Sequence, residues 1–345
     1  MLMVSVDGLK AWVNKNKRSG KVGSAALISW VDANDADATL VIKPDPIPDP
    51  IPDPIPDPTP IPDPVPIPDP IPVPLDGFPN AFNTGVTPGT VLKRVPQDVT
   101  SGPGWHYDSR GWIVVDGAGA VFNGFEYHTA LDITADNVTV SNCKCSHSGD
   151  WAVAIRHARN ATIKNCEFFG LDKGAGRMME AVKDIYGDEQ GTKVQKCHIY
   201  NVSTGVQIDN GLIEDNYMHD FGIIAGDHIN GTTSNSTNGP LIVRHNTIFN
   251  EYMQTDAISL FQDFGGQHDR IIENNLVAGG GYTIYGGQNP NKPATSNIVI
   301  RNNRISTMFY PKGGYWGWLT AWNASGTGNV LEGNVWHETG LPANA

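Results

Sequence analysis

One short pattern recurs eight times between residues 139 and 336, and it constrains the fold more than any other feature of the chain. The segments TVSNC, TIKNC, KVQKC, LIEDN, IVRHN, IIENN, VIRNN and VLEGN end at Cys143, Cys166, Cys197, Asn216, Asn246, Asn275, Asn303 and Asn334. Three residues before each end lies an aliphatic residue: Val140, Ile163, Val194, Ile213, Val243, Ile272, Ile300 and Leu331. Two residues after it lies Cys145, Phe168, Ile199, Met218, Ile248, Val277, Ile305 or Trp336. Polar residues such as Lys164, Glu214, Arg244, Glu273 and Arg301 fill the gap. Successive units are 19–31 residues apart. Self-similarity at such a period means stacked coils rather than independent elements. Stacking at about 4.8 Å places the aliphatic column inside and the Asn column at a tight turn, where side-chain amides bond along the stack. The expectation is an all-β parallel β-helix from about residue 111 to 335.

The same alignment gives the cysteines a role. Cys143, Cys166 and Cys197 take the Asn place in the first three units, so they read as ladder thiols; Cys145 takes the apolar place. No CxxC pair is present, and Cys143–Cys145 lacks partners at metal-ligand spacing.

Ahead of the repeat, proline occupies every even position from Pro44 to Pro74. Each proline fixes its own φ and drives the residue before it to extended geometry, which excludes helix and central strand. At ~3.1 Å per residue the run makes a rod roughly 90 Å long. The expected domains are a small attachment segment at 1–43 with a strand near 25–31, a rigid linker at 44–75, and the β-helix at 76–345, with 76–110 capping its first coil. The net charge of −12 argues against a nucleic-acid-binding surface. No stretch is long and apolar enough to span a membrane, and the N-terminus does not read as a secretory signal.

The coil units resemble the right-handed parallel β-helix repeats of carbohydrate-active proteins and phage tail proteins. More narrowly, GFPNAFNTGVTPGTVL, IRHNTIFN, ENNLVAGGGYTIYGG and EGNVWHETGLPAN resemble a β-helix family common in actinobacteria and their phages. In such phages, proteins of this sort look like minor tail proteins: an attachment region, a linker and a distal receptor-binding domain. The resemblance implies location in the virion tail, extracellular once assembled. It implies other tail proteins as partners of residues 1–43 and a host cell-surface glycan as partner of the β-helix. A homotrimer is compatible with it. It implies no cofactor and no metal.

The strands after the long loops read DWAVAI, EAVKDI, TGVQID, DHINGT and DAISLF. Aligned on their apolar position, they present a leading column of Asp150, Glu180, Thr204, Asp227 and Asp256. Outward positions follow at Lys183, Gln207, Asn230 and Ser259, with Asp209 just beyond. A line of carboxylates and amides suits sugar hydroxyls, and paired carboxylates can act as acid and base in glycoside cleavage. Asp227, His228 and Asp256 are the candidate catalytic groups, since a His beside a carboxylate can serve as a general base. The resembling family's pattern here is closer to His-Asn-Asp-Gly, whereas this chain has His228-Ile229-Asn230-Gly231. An amide therefore stands where a second acid would be. Among the clustered aromatics, Tyr282, Tyr285, Trp316 and Trp318 are candidate sugar-stacking residues, while the other members (Tyr310, Tyr315, Trp322) or some of these four cap the solenoid end. Three functions stay open: a tail adhesin for a cell-envelope glycan, a polysaccharide lyase or glycoside hydrolase on the same fold, and a purely structural tail component.

Overall fold

The computed structural model describes residues 77–344. The expected attachment segment with its strand at 25–31 and the proline rod at 44–75 lie outside the described residues. Among the described residues every regular element is a β-strand, and nearly all strand pairs are parallel. The described residues form a right-handed parallel β-helix.

Each coil crosses three sheets in turn. The coil through Thr192–Gln195, His198–Tyr200 and Val202–Gln207 shows the order. The first strand lies in a nine-stranded sheet I, the second in a ten-stranded sheet II and the third in an eleven-stranded sheet III. The expected apolar columns are in exact register: Ile163 pairs with Val194 and Val194 with Ile213 in sheet I, while Phe168 pairs with Ile199 and Ile199 with Met218 in sheet II. All six residues are fully buried. One coil precedes the eight read from the repeat. Phe122 pairs with Val140 and Tyr127 with Cys145, with Phe125 at the ladder place, where an aromatic residue hid the pattern.

The turn from sheet I to sheet II explains the repeat. The residue before the ladder position has positive φ in every unit: Asn142, Asn165, Lys196, Asp215, His245, Asn274, Asn302 and Gly333. Asn, Asp and Gly tolerate that region best, so most of these positions carry them. The ladder residue then points inward. Asn216, Asn246, Asn275 and Asn303 each donate Nδ2 to the Oδ1 of the next asparagine up the stack, at 2.9–3.0 Å. Each Oδ1 also accepts the backbone N–H of the ladder residue one coil below, and Asn216 does so for Cys197 at 2.9 Å. Cys143, Cys166 and Cys197 continue the column as free, buried thiols whose Sγ atoms lie 3.1–3.5 Å from the backbone carbonyl two residues earlier. Each Sγ also reaches a backbone carbonyl one coil below at 3.6–3.9 Å, a weaker link between coils than the amide makes.

Sheet III approaches sheet II closely. Ala152, Ala181, Gly205, Gly231 and Ala257 form a buried column of small residues. A Cβ at Gly231 would run into Ile248 Cγ2 and the Ala257 carbonyl, so glycine is required there. At the solenoid's start, the hairpin Ser101–Gly102 and Trp105–Tyr107 pairs antiparallel onto Ile113–Val115. Trp105 lies edge-on to Phe122 and Phe125, 5.0 Å from each, and covers the first coil's interior. Residues 77–92 run along the flank across the sheet I–II turns. Phe78 stacks on His245 at 5.5 Å, Gly85 N–H donates to the Lys196 carbonyl, and Thr87 Oγ1 donates to Asn142 Oδ1 at 2.7 Å.

Candidate functional site

The strands of sheet III send two polar columns away from the core. The first runs Trp151, Glu180, Thr204, Asn230, Asp256. The second runs Ala154, Lys183, Gln207, Thr233, Ser259, Tyr285. Glu180 and Lys183 share a side of the sheet, since Lys183 Nζ donates to Glu180 Oε1 at 2.7 Å. The register corrects the expected alignment at two places. Asp150 lies one residue ahead of the first column, exposed beside Glu180, and Trp151 takes its place. Asp227 lies three residues ahead, in the loop before the strand, and Asn230 takes its place. Asn230 therefore leaves the second column, where Thr233 stands instead. The cause is loop length. The stretch between ladder residue and sheet III strand varies from coil to coil, so matching apolar positions alone slips the register.

This face is more buried than an outer surface should be. Glu180, Thr204, Asn230, Thr233, Asp256 and Ser259 are all below a tenth exposed. Such burial means that neighbouring segments cover this side of the sheet, which is called the groove below. Burial normally brings hydrogen-bond partners. Here Trp151 Nε1, Glu180 Oε2, Asn230 Oδ1, Thr233 Oγ1 and both carboxyl oxygens of Asp256 find none among the described residues. Leaving such groups unpaired costs about 1–3 kcal/mol each.

The expected catalytic trio does not assemble. Asp227 donates nothing to catalysis in this arrangement: its two oxygens accept from Arg177 Nε at 2.6 Å and Nη2 at 2.8 Å, and from Ser203 Oγ at 2.7 Å. Burial pushes its carboxyl up, but the bonds from Arg177, Ser203 and the Ile224 amide outweigh that and hold it at about 2. It is a permanently charged latch that ties the loop to the solenoid, and Arg177, which the sequence did not single out, is its partner. His228 is exposed and its nearest polar neighbour is Thr255 Oγ1 at 3.4 Å, not either carboxylate. Asp256 sits on the sheet floor, fully buried, and burial drives its carboxyl well above the usual range, with the adjacent Ser259 hydroxyl opposing in part. Glu180 is also raised, by burial first and by Asp150, against the pull of Lys183.

At the far end of the sheet III strands lies a cleft of about 460 Å³. Gln207 and Asp209, both expected, line it with Asp184, Tyr186, Asn235, Ser236 and Phe264, which the sequence reading missed. Asp209 Oδ1 accepts from Ser234 Oγ and from the Asn235 and Ser236 amides. Behind it Glu189 is fully buried, and its Oε1 accepts weakly from the Asp209 and Asn210 amides at 3.3 Å. Burial, then Asp184 and Asp209, push the Glu189 carboxyl up to about 10. Arg270, an arginine in an inward column, closes the cluster by donating to the Gly239 and Ser236 carbonyls and to Gln267 Oε1. Phe264 stands 83% exposed at the cleft edge, and Tyr186 stacks flat on His157 at 4.2 Å. A second cleft of about 260 Å³ adjoins along the same edge, between Phe261, Asp263, Tyr285, Gln288 and Asn289.

The aromatic candidates divide. Trp316 is 63% exposed beside Gly281, and Tyr282 and Tyr285 are half-buried, 5.8 Å apart and edge to face. Trp318 is the exception: it is buried in the inward column, and its Nε1 donates to the Asn344 carbonyl. It closes the C-terminal end and cannot stack on a ligand.

Residues 109–263 match the family described as right handed beta helix region. No curated protein matches the chain. The matched span includes the first column, Gln207 and Asp209, and stops one residue short of Phe264. A β-helix of this kind fits a carbohydrate-binding or glycan-acting role in general.

Proposed function

We propose that the protein is a phage minor tail protein, a tail adhesin that contacts a glycan of the host cell envelope through the groove on sheet III. The cleft at the end of the sheet III strands, lined by Gln207, Asp209, Asn235 and Ser236, carries this reading. Its amides and carboxyls can bond to sugar hydroxyls, and the exposed rings of Trp316 and Phe264 with the half-buried ring of Tyr282 offer faces for pyranose stacking. The proline run between 44 and 74 supports the tail assignment, since a rod roughly 90 Å long suits reach from a virion more than it suits a free enzyme. Residues 1–43 would then attach to other tail proteins.

Cleavage of the bound glycan is the second reading. It is favoured by Asp256, whose carboxyl burial raises, and by Asp184 and Asp209 at the cleft with Glu189 behind them, pushed up to about 10. One experiment addresses both. The full chain, fluorescently labelled, is incubated with whole actinobacterial cells and with their purified wall polysaccharide. Binding that is lost in the Asn230→Ala and Trp316→Ala variants, without new reducing ends, supports the adhesin. New reducing ends or unsaturated products show cleavage. Absence of cell binding by the intact chain refutes the glycan reading.

A further inference from the structure

The two clefts lie on one edge of sheet III, where its strands end and the chain turns towards sheet I. The first is walled just beyond the strands Met178–Asp184, Val202–Gln207 and Asn230–Ser234, at Tyr186, Asp209 and Asn235. The second is walled just beyond Asp256–Leu260 and Tyr282–Gly286, at Phe261 and Gln288. These five strands are consecutive in the sheet. The two clefts therefore follow one another up the solenoid over four steps of about 4.8 Å, roughly 19 Å in all. They meet at neighbouring residues, since Phe264 lines the first and Asp263 the second. The Phe264 amide donates to the Asn235 carbonyl at 3.0 Å, which seats this loop over the coil below.

The walls carry accessible rings and amides together. Tyr186 and Phe264 stand 55% and 83% exposed at the first cleft. Beside them the carboxamides of Gln207 and Asn235 are half-buried and make no hydrogen bond among the described residues, so each offers a free donor and a free acceptor. In the second cleft the half-buried rings of Phe261 and Tyr285 tilt at 60° with centroids 5.3 Å apart. Its remaining walls are fixed from within: Gln262 Oε1 accepts the Asn289 amide at 2.8 Å and Gln288 Oε1 the Thr295 amide at 2.9 Å. Rings of this kind pack on the apolar faces of sugars while carboxamides bond the hydroxyls at their rims. Among the described residues no Lys, Arg or His lines either cleft, so a nucleic-acid strand would find no phosphate contact there.

We propose that the two clefts are successive subsites for one linear glycan lying along the strand ends, with Tyr186, Phe264, Phe261 and Tyr285 against its sugar faces and the Gln207 and Asn235 amides on its hydroxyls. This rests on the glycan-binding reading above and names the ligand class as a chain of several linked sugars rather than a single sugar. A lone sugar fills one cleft and leaves the other empty. Linked sugars enter the second cleft as an intramolecular step, at high effective concentration, so affinity rises with chain length until both clefts are filled. Phe264, at the junction, contributes to either side.

The test uses the full chain and actinobacterial wall polysaccharide, both intact and partly hydrolysed into fractions of increasing length. Binding is measured by calorimetry. The longest fractions should bind about a hundredfold tighter than the shortest that binds, with a plateau once both clefts are spanned. Gln207→Ala in the first cleft and Tyr285→Ala in the second should each bring the long fractions down towards the affinity of the short ones, while short fractions still bind. Phe264→Ala, at a side chain with almost no packing to lose, should weaken the long fractions by about tenfold with unchanged Tm. Equal affinity at every length overturns the inference while leaving glycan binding intact. So does undiminished binding of long fractions by either cleft variant, or loss of all binding in one variant that still unfolds cooperatively. Failure of the intact polysaccharide and every fraction to bind the folded wild-type chain removes the glycan reading itself.

Discussion

Glu189 gives the sharpest test of the cluster at the cleft. It is fully buried and its carboxyl is raised from 4.5 to about 10, so the folded protein keeps it protonated. In the unfolded chain it ionises above its ordinary value. The unfolded state therefore binds fewer protons than the native state from pH 4.5 upward, and linkage makes stability fall as pH rises. The contribution is fully present below about pH 4.5 and is lost progressively as pH rises towards 10. At about 1.4 kcal/mol per pH unit, holding the proton at pH 7 costs the fold about 3 kcal/mol. Glu189→Gln removes that cost. The glutamine oxygen can still accept from the Asp209 and Asn210 amides, and its amide group can donate towards Asp184 as the carboxyl proton does. The variant should be more stable at pH 7 by about 3 kcal/mol, a rise in Tm of roughly 6 °C for a domain of this size. The gap should widen at pH 9 and vanish near pH 4.5. Urea and thermal unfolding of both proteins at pH 5, 7 and 9 read it directly. Parallel stability curves for wild type and variant would refute the placement of a proton on Glu189.

Asn275→Ala should destabilise by about 3 kcal/mol in urea unfolding, because Asn275 makes four ladder bonds and its loss leaves the Asn246 amide unpaired in the core. Trp316→Ala should weaken binding of cells or glycan by about tenfold with unchanged Tm, whereas Trp318→Ala should cost about 3–5 kcal/mol of stability as a buried end-cap. Asp227→Asn should loosen the loop at 221–229, measured by faster amide exchange there; since its folded pKa is depressed, wild type should lose the same protection as pH falls through about 2, while the variant shows no such step. All four cysteines should resist a thiol reagent in the native protein and react only on unfolding, since each is buried and burial raises the thiols of Cys145 and Cys166.

The groove was partly legible in the chain. Glu180, Lys183, Gln207, Asn230 and Asp256 do stand on the outer face of sheet III, although strict alternation would put Glu180 and Lys183, three residues apart, on opposite faces. Asp184, Glu189, Phe264 and Arg270 were not singled out. Asp184 sits at an inward position where the pattern asks for an aliphatic residue, and Arg270 does the same in sheet I. Read as pattern they are errors; a buried carboxyl or guanidinium breaking an apolar column was the available signal. Phe264 lies in a loop, where no periodicity points outward or inward.

The sequence by itself determined the solenoid and the Asn and Cys ladder. Those depend on turns one residue long, where a positive φ and an inward amide leave few alternatives, and the pattern repeats in every coil. Only the tertiary structure decided which side chains share the groove. The sheet III strand begins five residues after Cys197 but fourteen after Asn216, so no fixed offset from the ladder locates it. Stacking the coils set that register, moved Asp227 to a latch with Arg177, put Asn230 on the floor and turned Trp318 into the core. Ladder residues answer to local geometry; groove residues answer to neighbours one coil away.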